Sequence, residues 1–167
     1  GDGVLNNDCR RLAYQLDLRI GSSPTDHDAQ VVFVGQVANP ASHLVQARAL
    51  LMTSTSEGLP MVILEALSLG VPMLVADCLP GGIRSAVLGT GNCNPDSPSA
   101  ELTNCGVLLP VPRLEHPASI EVWSEWLERA TDDDLLVSEW ADGARLRYVH
   151  FSPNRALEQW EKKLASL

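Results

Sequence analysis

Residues 53–67 read TSTSEGLPMVILEAL, which predicts a strand end, a glycine turn and a helix in immediate succession. Gly58 lets the backbone approach a ligand closely, and Pro60 suits the first turn of a helix. The free N–H groups and the positive end of such a helix point into the crevice at the carboxyl edge of a parallel sheet. The segment therefore predicts a place where a diphosphate can bind without any lysine or arginine.

Two carboxylates, Glu57 and Glu65, stand at the two ends of this segment. Glu65 lies about five residues into the predicted helix, roughly 7 Å along its axis. One interpretation is that the pair accepts hydroxyl hydrogen bonds from two sugars that flank one diphosphate. The other is structural, because Met61, Glu65 and Ser68 share one helical face and can form the solvated side of an amphipathic helix. Glu57 is then an ordinary acidic residue near a helix start.

Helical and extended patterns alternate along the chain, which is typical of an α/β domain with a parallel sheet flanked by helices. The predicted helices before the tail are 7–18, 40–48 and 60–69. The predicted strands are 31–34, 49–53, 73–76 and 107–109. The 167 residues fall in the range of one domain, and no linker divides them. We therefore predict a single domain over residues 1–167.

The remaining segments are a loop and a helical tail. Residues 89–104 are rich in Gly, Asn, Pro and Ser and predict a surface loop between the last two strands. The tail, residues 117–167, predicts amphipathic helices. Its tryptophans are expected to anchor the core rather than to form a ligand platform, and they are Trp123, Trp126, Trp140 and Trp160.

Charge and hydropathy exclude several classes of protein. The formal net charge of −9 argues against binding nucleic acid or anionic lipid through bulk charge. The most apolar charge-free run, residues 66–76, is shorter than the roughly 20 residues that span a bilayer. No basic region followed by an apolar stretch opens the sequence, so a signal peptide is not predicted.

The four cysteines form no C-x-x-C pair and do not cluster with histidines at metal-ligand spacing. No metal site is predicted, and a reduced cytosolic protein is the default expectation. A disulfide between Cys93 and Cys105 is the alternative, although nothing else in the sequence points to an oxidising compartment.

The segment Glu57-Gly58-Leu59-Pro60, followed by four residues and Glu65-Ala66-Leu67, resembles the hallmark E-G-[LF]-P-x4-E-A-[LM]. That hallmark belongs to the retaining group 1 glycosyltransferases, which have two Rossmann-like domains in the GT-B fold. Four further segments resemble the family in the same order, and they are residues 1–3, 32–35, 70–77 and 81–83. The resemblance is clear over about residues 1–110 and implies a Rossmann-like sheet with a helical tail.

The resemblance also implies the roles of the site residues. In that family the glutamate matching Glu57 contacts the transferred sugar, and the one matching Glu65 binds the ribose hydroxyls. The donor site is then expected to comprise Ser56, Glu57, Gly58, Leu59, Pro60 and Glu65. The implied reaction transfers a sugar from a UDP- or GDP-sugar with retention of configuration, without a cofactor or a divalent metal. Stabilising the departing diphosphate is the main electrostatic task.

Partners follow from the same resemblance. The chain is expected to be the C-terminal, nucleotide-sugar-binding half, truncated on its N-terminal side, so that a basic pair gripping the diphosphate lies upstream. The acceptor-binding domain, which would present a glycan, a lipid-linked or another acceptor, is expected to be missing as well. This half alone is then inactive and cytoplasmic, and contacts the inner membrane face only through the missing half.

Ser85 departs from the family pattern, which commonly has a glutamate there. The neighbouring Arg84 is expected to be a surface arginine, with assistance to a phosphate as the alternative. Two rival functions stay open. One is a sugar-nucleotide epimerase of related architecture, and the other is a non-catalytic module that binds a nucleotide or a partner.

Overall fold

The computed structural model describes residues 3–166, and its chain contacts divide it into two compact units that meet in sequence after Pro40. The single-domain prediction stays a prediction. The predicted α/β architecture with a helical tail is confirmed. The predicted glycine turn at residues 1–3 falls largely outside the described residues, which include only Gly3 of that turn.

The first unit contains one helix and two short strands. They are α1 (Asn6–Gln15), β1 (Ile20–Gly21) and β2 (Val31–Val32), and the two strands pair in parallel. The helix ends earlier than the predicted residue 18, because Asp17 adopts a positive φ of 55°. The N–H of Leu18 donates to the carbonyl of Ala13 at 3.0 Å and the N–H of Asp17 to that of Tyr14 at 3.1 Å, which closes the helix with a Schellman motif.

The second unit is built on a four-stranded sheet in the order β3-β4-β6-β5. Its strands are β3 (Leu50–Met52), β4 (Met73–Ala76), β5 (Glu101–Thr103) and β6 (Gly106–Leu109). The first three in that order are parallel, and β5 pairs with β6 in the antiparallel direction. The helices before the tail are α2 (Ala41–Leu44), α3 (Met61–Leu69) and α4 (Gly82–Leu88). Helix α3 connects the parallel strands β3 and β4, whereas α4 lies between β4 and the antiparallel strand β5, so that α4 and β5 together form the crossover from β4 to the parallel strand β6.

The prediction that residues 89–104 form only a loop is wrong, because residues 101–103 form the edge strand β5. After β5, a turn that the Thr103 side chain stabilises reverses the direction of the chain. The Thr103 hydroxyl donates to the carbonyl of Gly106 at 2.9 Å and accepts from the N–H of Cys105 at 3.2 Å. The loop-forming composition of the preceding residues conceals this strand. The glycine-rich start of α4 likewise conceals a helix that the sequence did not predict.

Strands β4 and β6 are buried along their whole length and form the centre of the core. Helix α3 packs against α6 of the tail (Asp134–Tyr148), and β4 and β6 lie side by side. The largest fully buried side chains come from these elements and from α4, and they include Ile63, Leu67, Met73, Leu74, Ile83 and Leu108. A strand buried on both faces needs the continuous apolar run that the sequence has at residues 73–76.

The tail consists of α5 (Pro117–Asp132), α6 (Asp134–Tyr148), a 3₁₀ turn (Val149–Phe151) and α7 (Pro153–Leu164). Trp123 is buried and its indole N–H donates to the carbonyl of Pro110 at 2.9 Å. Trp140 is buried too, and the centroid of its ring lies 6.1 Å from the ring centroid of the half-buried Trp126. These three tryptophans anchor the core as predicted.

The prediction is wrong for Trp160, which is 67% exposed on α7. No residue of α7 is buried, and its large apolar side chains Leu157, Trp160 and Leu164 all face outward. Within residues 3–166, no helix is both long enough and apolar enough to span a lipid bilayer.

All four cysteines are free thiols, so the alternative of a bridge between Cys93 and Cys105 is not realised. Cys105 directly precedes β6, at the amino edge of the parallel strands. Cys93 lies beside Gly81, which follows β4 at the carboxyl edge, where a Cβ on Gly81 would be 3.4 Å from the Cys93 sulfur. The length of the strands separates the two thiols.

We expect Trp140→Ala to lower the free energy of unfolding by about 3–5 kcal/mol, because it removes a buried ring and leaves a cavity. Trp160→Ala should change it by no more than about 0.5 kcal/mol, since the ring it removes is exposed. Urea unfolding followed by far-UV circular dichroism measures both. A comparable loss in the two variants would contradict the assignment of Trp160 to the surface.

Candidate functional site

The segment 53–60 leaves β3 at the carboxyl edge of the sheet and is joined there to the segment that follows β4. Ser56 forms a parallel bridge with Leu79, and the N–H of Glu57 donates to the carbonyl of Leu79 at 2.9 Å. Pro60 is the N-cap of α3 in an extended conformation, so the helix begins at Met61, one residue later than the predicted start at residue 60. The segments that follow the neighbouring parallel strands β3 and β4 therefore contact each other through their backbones.

Glu57 is half-buried in this turn, and a nearby hydroxyl orients its carboxylate. The Ser54 hydroxyl donates to Oε1 of Glu57 at 2.9 Å. This leaves the second carboxylate oxygen to accept other hydrogen bonds. Ser54 is not among the predicted site residues, although the S-x-x-E spacing is the one found in helix capping boxes and could have indicated it.

Glycines permit the two turns to touch. A Cβ on Gly82 would lie 1.3 Å from the carbonyl oxygen of Gly58, so only a glycine fits at position 82. Gly81 has a positive φ of 96°, and a Cβ there would lie 2.1 Å from the carbonyl oxygen of Gly91. Gly58 itself has open space where a Cβ would point, which leaves room for a ligand beside the turn.

A cavity of about 370 Å³ opens beside these turns. Its lining combines glycine backbone from Gly58, Gly81, Gly82 and Gly91 with the side chains of Leu59, Pro80, Ser85, Ala86 and Phe151. No charged side chain is among these lining residues. The cavity can therefore take an uncharged, ring-sized group, with hydrogen bonds supplied by backbone and by the Ser85 hydroxyl.

Helix α3 carries Glu65 on its outer face. Met61 and Ser68, which share this face, are exposed, and Glu65 is half-buried, whereas Ile63, Ala66 and Leu67 face the core. Within residues 3–166 the Glu65 carboxylate has no hydrogen bond and no ion pair. Both of its oxygens are thus available to a ligand or to water. The donor-site roles of Ser56, Glu57, Gly58, Leu59, Pro60 and Glu65 stay predictions.

Arg84 is not the surface arginine that the sequence analysis expected, because its side chain is only 12% exposed. Its Nε donates to the two carboxylate oxygens of Asp77 at 3.0 and 3.1 Å, and its Nη2 to Oδ2 at 2.6 Å. Nη2 also contacts Oε2 of Glu101 at 2.7 Å. The hydrogen bonds with Asp77 are the main reason why the pKa of the Arg84 guanidinium is held above its ordinary value. Two carboxylates already engage Arg84, which disfavours a direct role toward a phosphate.

The comparison with protein families shows the family of the chain. A family model described as glycosyl transferases group 1 matches residues 9–105, which is more than half of the chain. The chain belongs to this family. A comparison with curated proteins gave no match. Membership in the family supports a glycosyl transfer function, and the matched range includes the turn at 53–60, helix α3 and the ion pair of Asp77 with Arg84.

This group 1 glycosyltransferase domain also buries a thiol close to the turn. Cys78 follows Asp77 and is fully buried, and its carbonyl accepts a hydrogen bond from the N–H of Gly81 at 3.1 Å. Burial raises the pKa of the Cys78 thiol, because the thiolate would lose its hydration. Cys78 is consequently a neutral packing residue at neutral pH and not a nucleophile.

A larger cavity of about 740 Å³ lies elsewhere in the glycosyltransferase domain, between α6 and the β5–β6 turn. Thr103, Cys105, Trp140 and Arg147 are among its lining residues. It adjoins the start of β6, at the amino edge of the parallel strands, and contains none of the predicted site residues. Volume alone therefore does not identify the functional site.

We expect Gly82→Ala to lower the melting temperature by several degrees, because the new methyl group would overlap the Gly58 carbonyl and separate the two turns. Gly58→Ala is the matched control, since its methyl group would enter open space and should leave the melting temperature nearly unchanged. Differential scanning calorimetry compares the two variants. Equal tolerance of both substitutions would show that the turns are not in contact.

Proposed function

We propose that this domain binds the nucleotide-sugar donor of a retaining glycosyltransferase. The observation that carries the proposal is the docking of the Glu57–Gly58 turn against Gly82 at the carboxyl edge of the parallel sheet, beside an uncharged cavity. Ligands of open α/β sheets bind at this edge. The family match supports glycosyl transfer, and the proposal adds the donor role, the retention of configuration and the nature of the donor.

Backbone dipoles would hold the diphosphate of the donor. Helix α3 begins after Pro60 without a side-chain cap, so its first-turn N–H groups have no side-chain acceptor. Their direction and the helix dipole favour an anion at this end. The net charge of −9 makes such local donors necessary, because the domain as a whole repels a diphosphate.

The two glutamates would then hold the two sugars of the donor. Glu57, oriented by Ser54, would accept a hydroxyl hydrogen bond from the sugar that is transferred. Glu65, whose carboxylate has no partner within the described chain, would accept from the ribose hydroxyls of the nucleotide. Hydrogen bonds to an ionised carboxylate contribute more to binding than those between neutral groups. The loss of either carboxylate should therefore lower the affinity for the donor by a measurable amount.

In the proposed reaction the bond between the sugar and the diphosphate breaks, and the oxygen of an acceptor hydroxyl forms a new glycosidic bond on the same face. The hydroxyl proton is taken up by the departing diphosphate. The residues of this domain would orient the sugar and stabilise the departing diphosphate, and no cofactor takes part. A separate acceptor-binding domain would present the glycan, lipid-linked or other acceptor. We further propose that the protein acts in the cytoplasm, with any contact to the inner membrane face made through that acceptor-binding domain.

Binding of nucleotides to the purified chain tests the proposal. UDP, GDP, ADP and their sugars are titrated by calorimetry, and one of them should also raise the melting temperature by a few degrees, since ligand at 100 times its Kd adds about 2.7 kcal/mol. Glu65→Gln should weaken nucleotide binding roughly 10- to 100-fold, because it removes a charged acceptor. Glu121→Gln, an exposed change on α5, is the matched control.

The outcomes separate the candidate functions. Binding of one nucleotide class that Glu65→Gln weakens and Glu121→Gln does not would support the donor site. Binding of no nucleotide, either by this chain or by the protein that includes its acceptor-binding domain, would contradict it and favour a non-catalytic module. If the protein, assayed with its acceptor-binding domain, altered the sugar of the nucleotide without transferring it, the epimerase alternative would replace the transferase.

A further inference from the structure

We infer that Arg84 is a positioning residue of the candidate donor site, whose ion pairs with Asp77 and Glu101 hold the Glu57–Gly58 turn in place. That the ion pairs hold the turn follows from the fold alone. That the turn so held strengthens donor binding rests on the proposed function. The family match assigns no role to this arginine, and the one role that the sequence suggested for it was assistance to a phosphate.

The ion pair closes the loop that follows β4. Asp77 lies at the end of β4, and Arg84 lies in the first turn of α4. Three contacts of 2.6 to 3.1 Å join their side chains, and the Asp77 carboxylate is almost fully shielded from water. The loop between the two residues therefore has its ends fixed to each other through a charge-assisted, forked interaction.

This closed loop carries the contacts that hold the Glu57–Gly58 turn. The carbonyl of Leu79 accepts the N–H of Glu57 at 2.9 Å, and Gly82 lies directly against the carbonyl of Gly58. If Asp77 and Arg84 separate, Leu79 and Gly82 lose their fixed positions. The turn then loses its docking surface, although the sheet beneath it keeps its apolar core.

The same network fixes a second neighbour of the cavity. Oδ2 of Asp77 accepts the N–H of Asn94 at 3.2 Å, and Glu101 joins Arg84 to strand β5. The segment before Asn94 includes Gly91, which lines the cavity and whose carbonyl abuts Gly81. Through Asp77 and Glu101, the Arg84 guanidinium is thus linked to the backbone segments that surround the cavity. Arg84 itself does not line the cavity.

Hydrogen exchange tests the structural part without any ligand. Arg84→Lys keeps the positive charge but loses the planar fork that engages both carboxylates. We expect amide exchange in residues 54–60 to accelerate about ten-fold or more, whereas exchange in α6 stays unchanged. Arg113→Lys is the matched control, because the Arg113–Asp96 pair is exposed and its atoms are 3.6 Å apart. Unchanged exchange at 54–60, or faster exchange throughout the chain, would overturn the inference.

Ligand titration tests the functional part. We measure the Kd of UDP-glucose against UDP, and of GDP-mannose against GDP, for wild type, Arg84→Lys and Arg113→Lys. A displaced turn should weaken the nucleotide sugar about ten-fold more than the free nucleotide, which corresponds to about 1.4 kcal/mol. In a Glu57→Gln background Arg84→Lys should have little further effect on the sugar. Equal weakening of sugar and nucleotide would indicate a general structural role and overturn the positioning role.

The two measurements keep this inference separate from the proposed function. If wild type binds none of these ligands, the donor-binding function fails, and hydrogen exchange still decides whether Arg84 holds the turn. Should Arg84→Lys not fold, Glu101→Gln removes only the more exposed arm of the network. It should then produce a smaller acceleration of exchange in the same segment, and no acceleration there would overturn the inference.

Discussion

The candidate site depends on one backbone contact, in which the Glu57–Gly58 turn rests on the segment from Leu79 to Gly82. The contact arises because β3 and β4 are parallel neighbours, so the turns that follow them emerge at the same edge of the sheet. A side chain at position 82 would separate the two turns. The cavity lies directly beside this close approach and is lined by glycines of both turns.

Maintaining the contact requires charged groups in a place that disfavours them. Asp77 is almost fully buried at the end of the central strand, and removing a carboxylate from water is costly. Arg84 offsets that cost by occupying both carboxylate oxygens, and Glu101 accepts a further hydrogen bond from the guanidinium. An apolar pair could stabilise the fold as well. The charged pair also has a fixed geometry, because a forked interaction sets the angle between the end of β4 and α4.

The sequence predicted those parts of the fold that have a local signal. Strand β4 was predicted with its observed bounds because a strand buried on both faces needs an unbroken apolar run. Helix α3 was predicted because a proline precedes it and Gly70, with a φ of 69°, ends it. Strand β5 was missed because its short pairing with β6 is a tertiary contact within a segment of loop-like composition.

The same limit explains what was missed at the candidate site. Glu57, Gly58 and Glu65 belong to a contiguous motif, and their positions along a turn and a helix can be derived from the sequence. Arg84 was expected at the surface because arginine is rarely buried without a partner. Its partners are separated from it in the sequence, and only the folded chain brings Asp77 and Glu101 to one guanidinium. Trp160 shows the converse, since an amphipathic pattern does not reveal whether a helix face is covered.

These features together favour recognition by backbone geometry over recognition by charge. The domain is acidic, the cavity beside the Glu57–Gly58 turn has no charged lining residue, and the buried arginine next to the turn is neutralised by its carboxylate partners. Dipoles of N–H groups act only over short distances, so their strength depends on how accurately the turn is held. A site of this kind gains selectivity from rigid glycine turns and loses it when they move. The ion pair that closes the loop is therefore as much a part of the candidate site as the glutamates that face it.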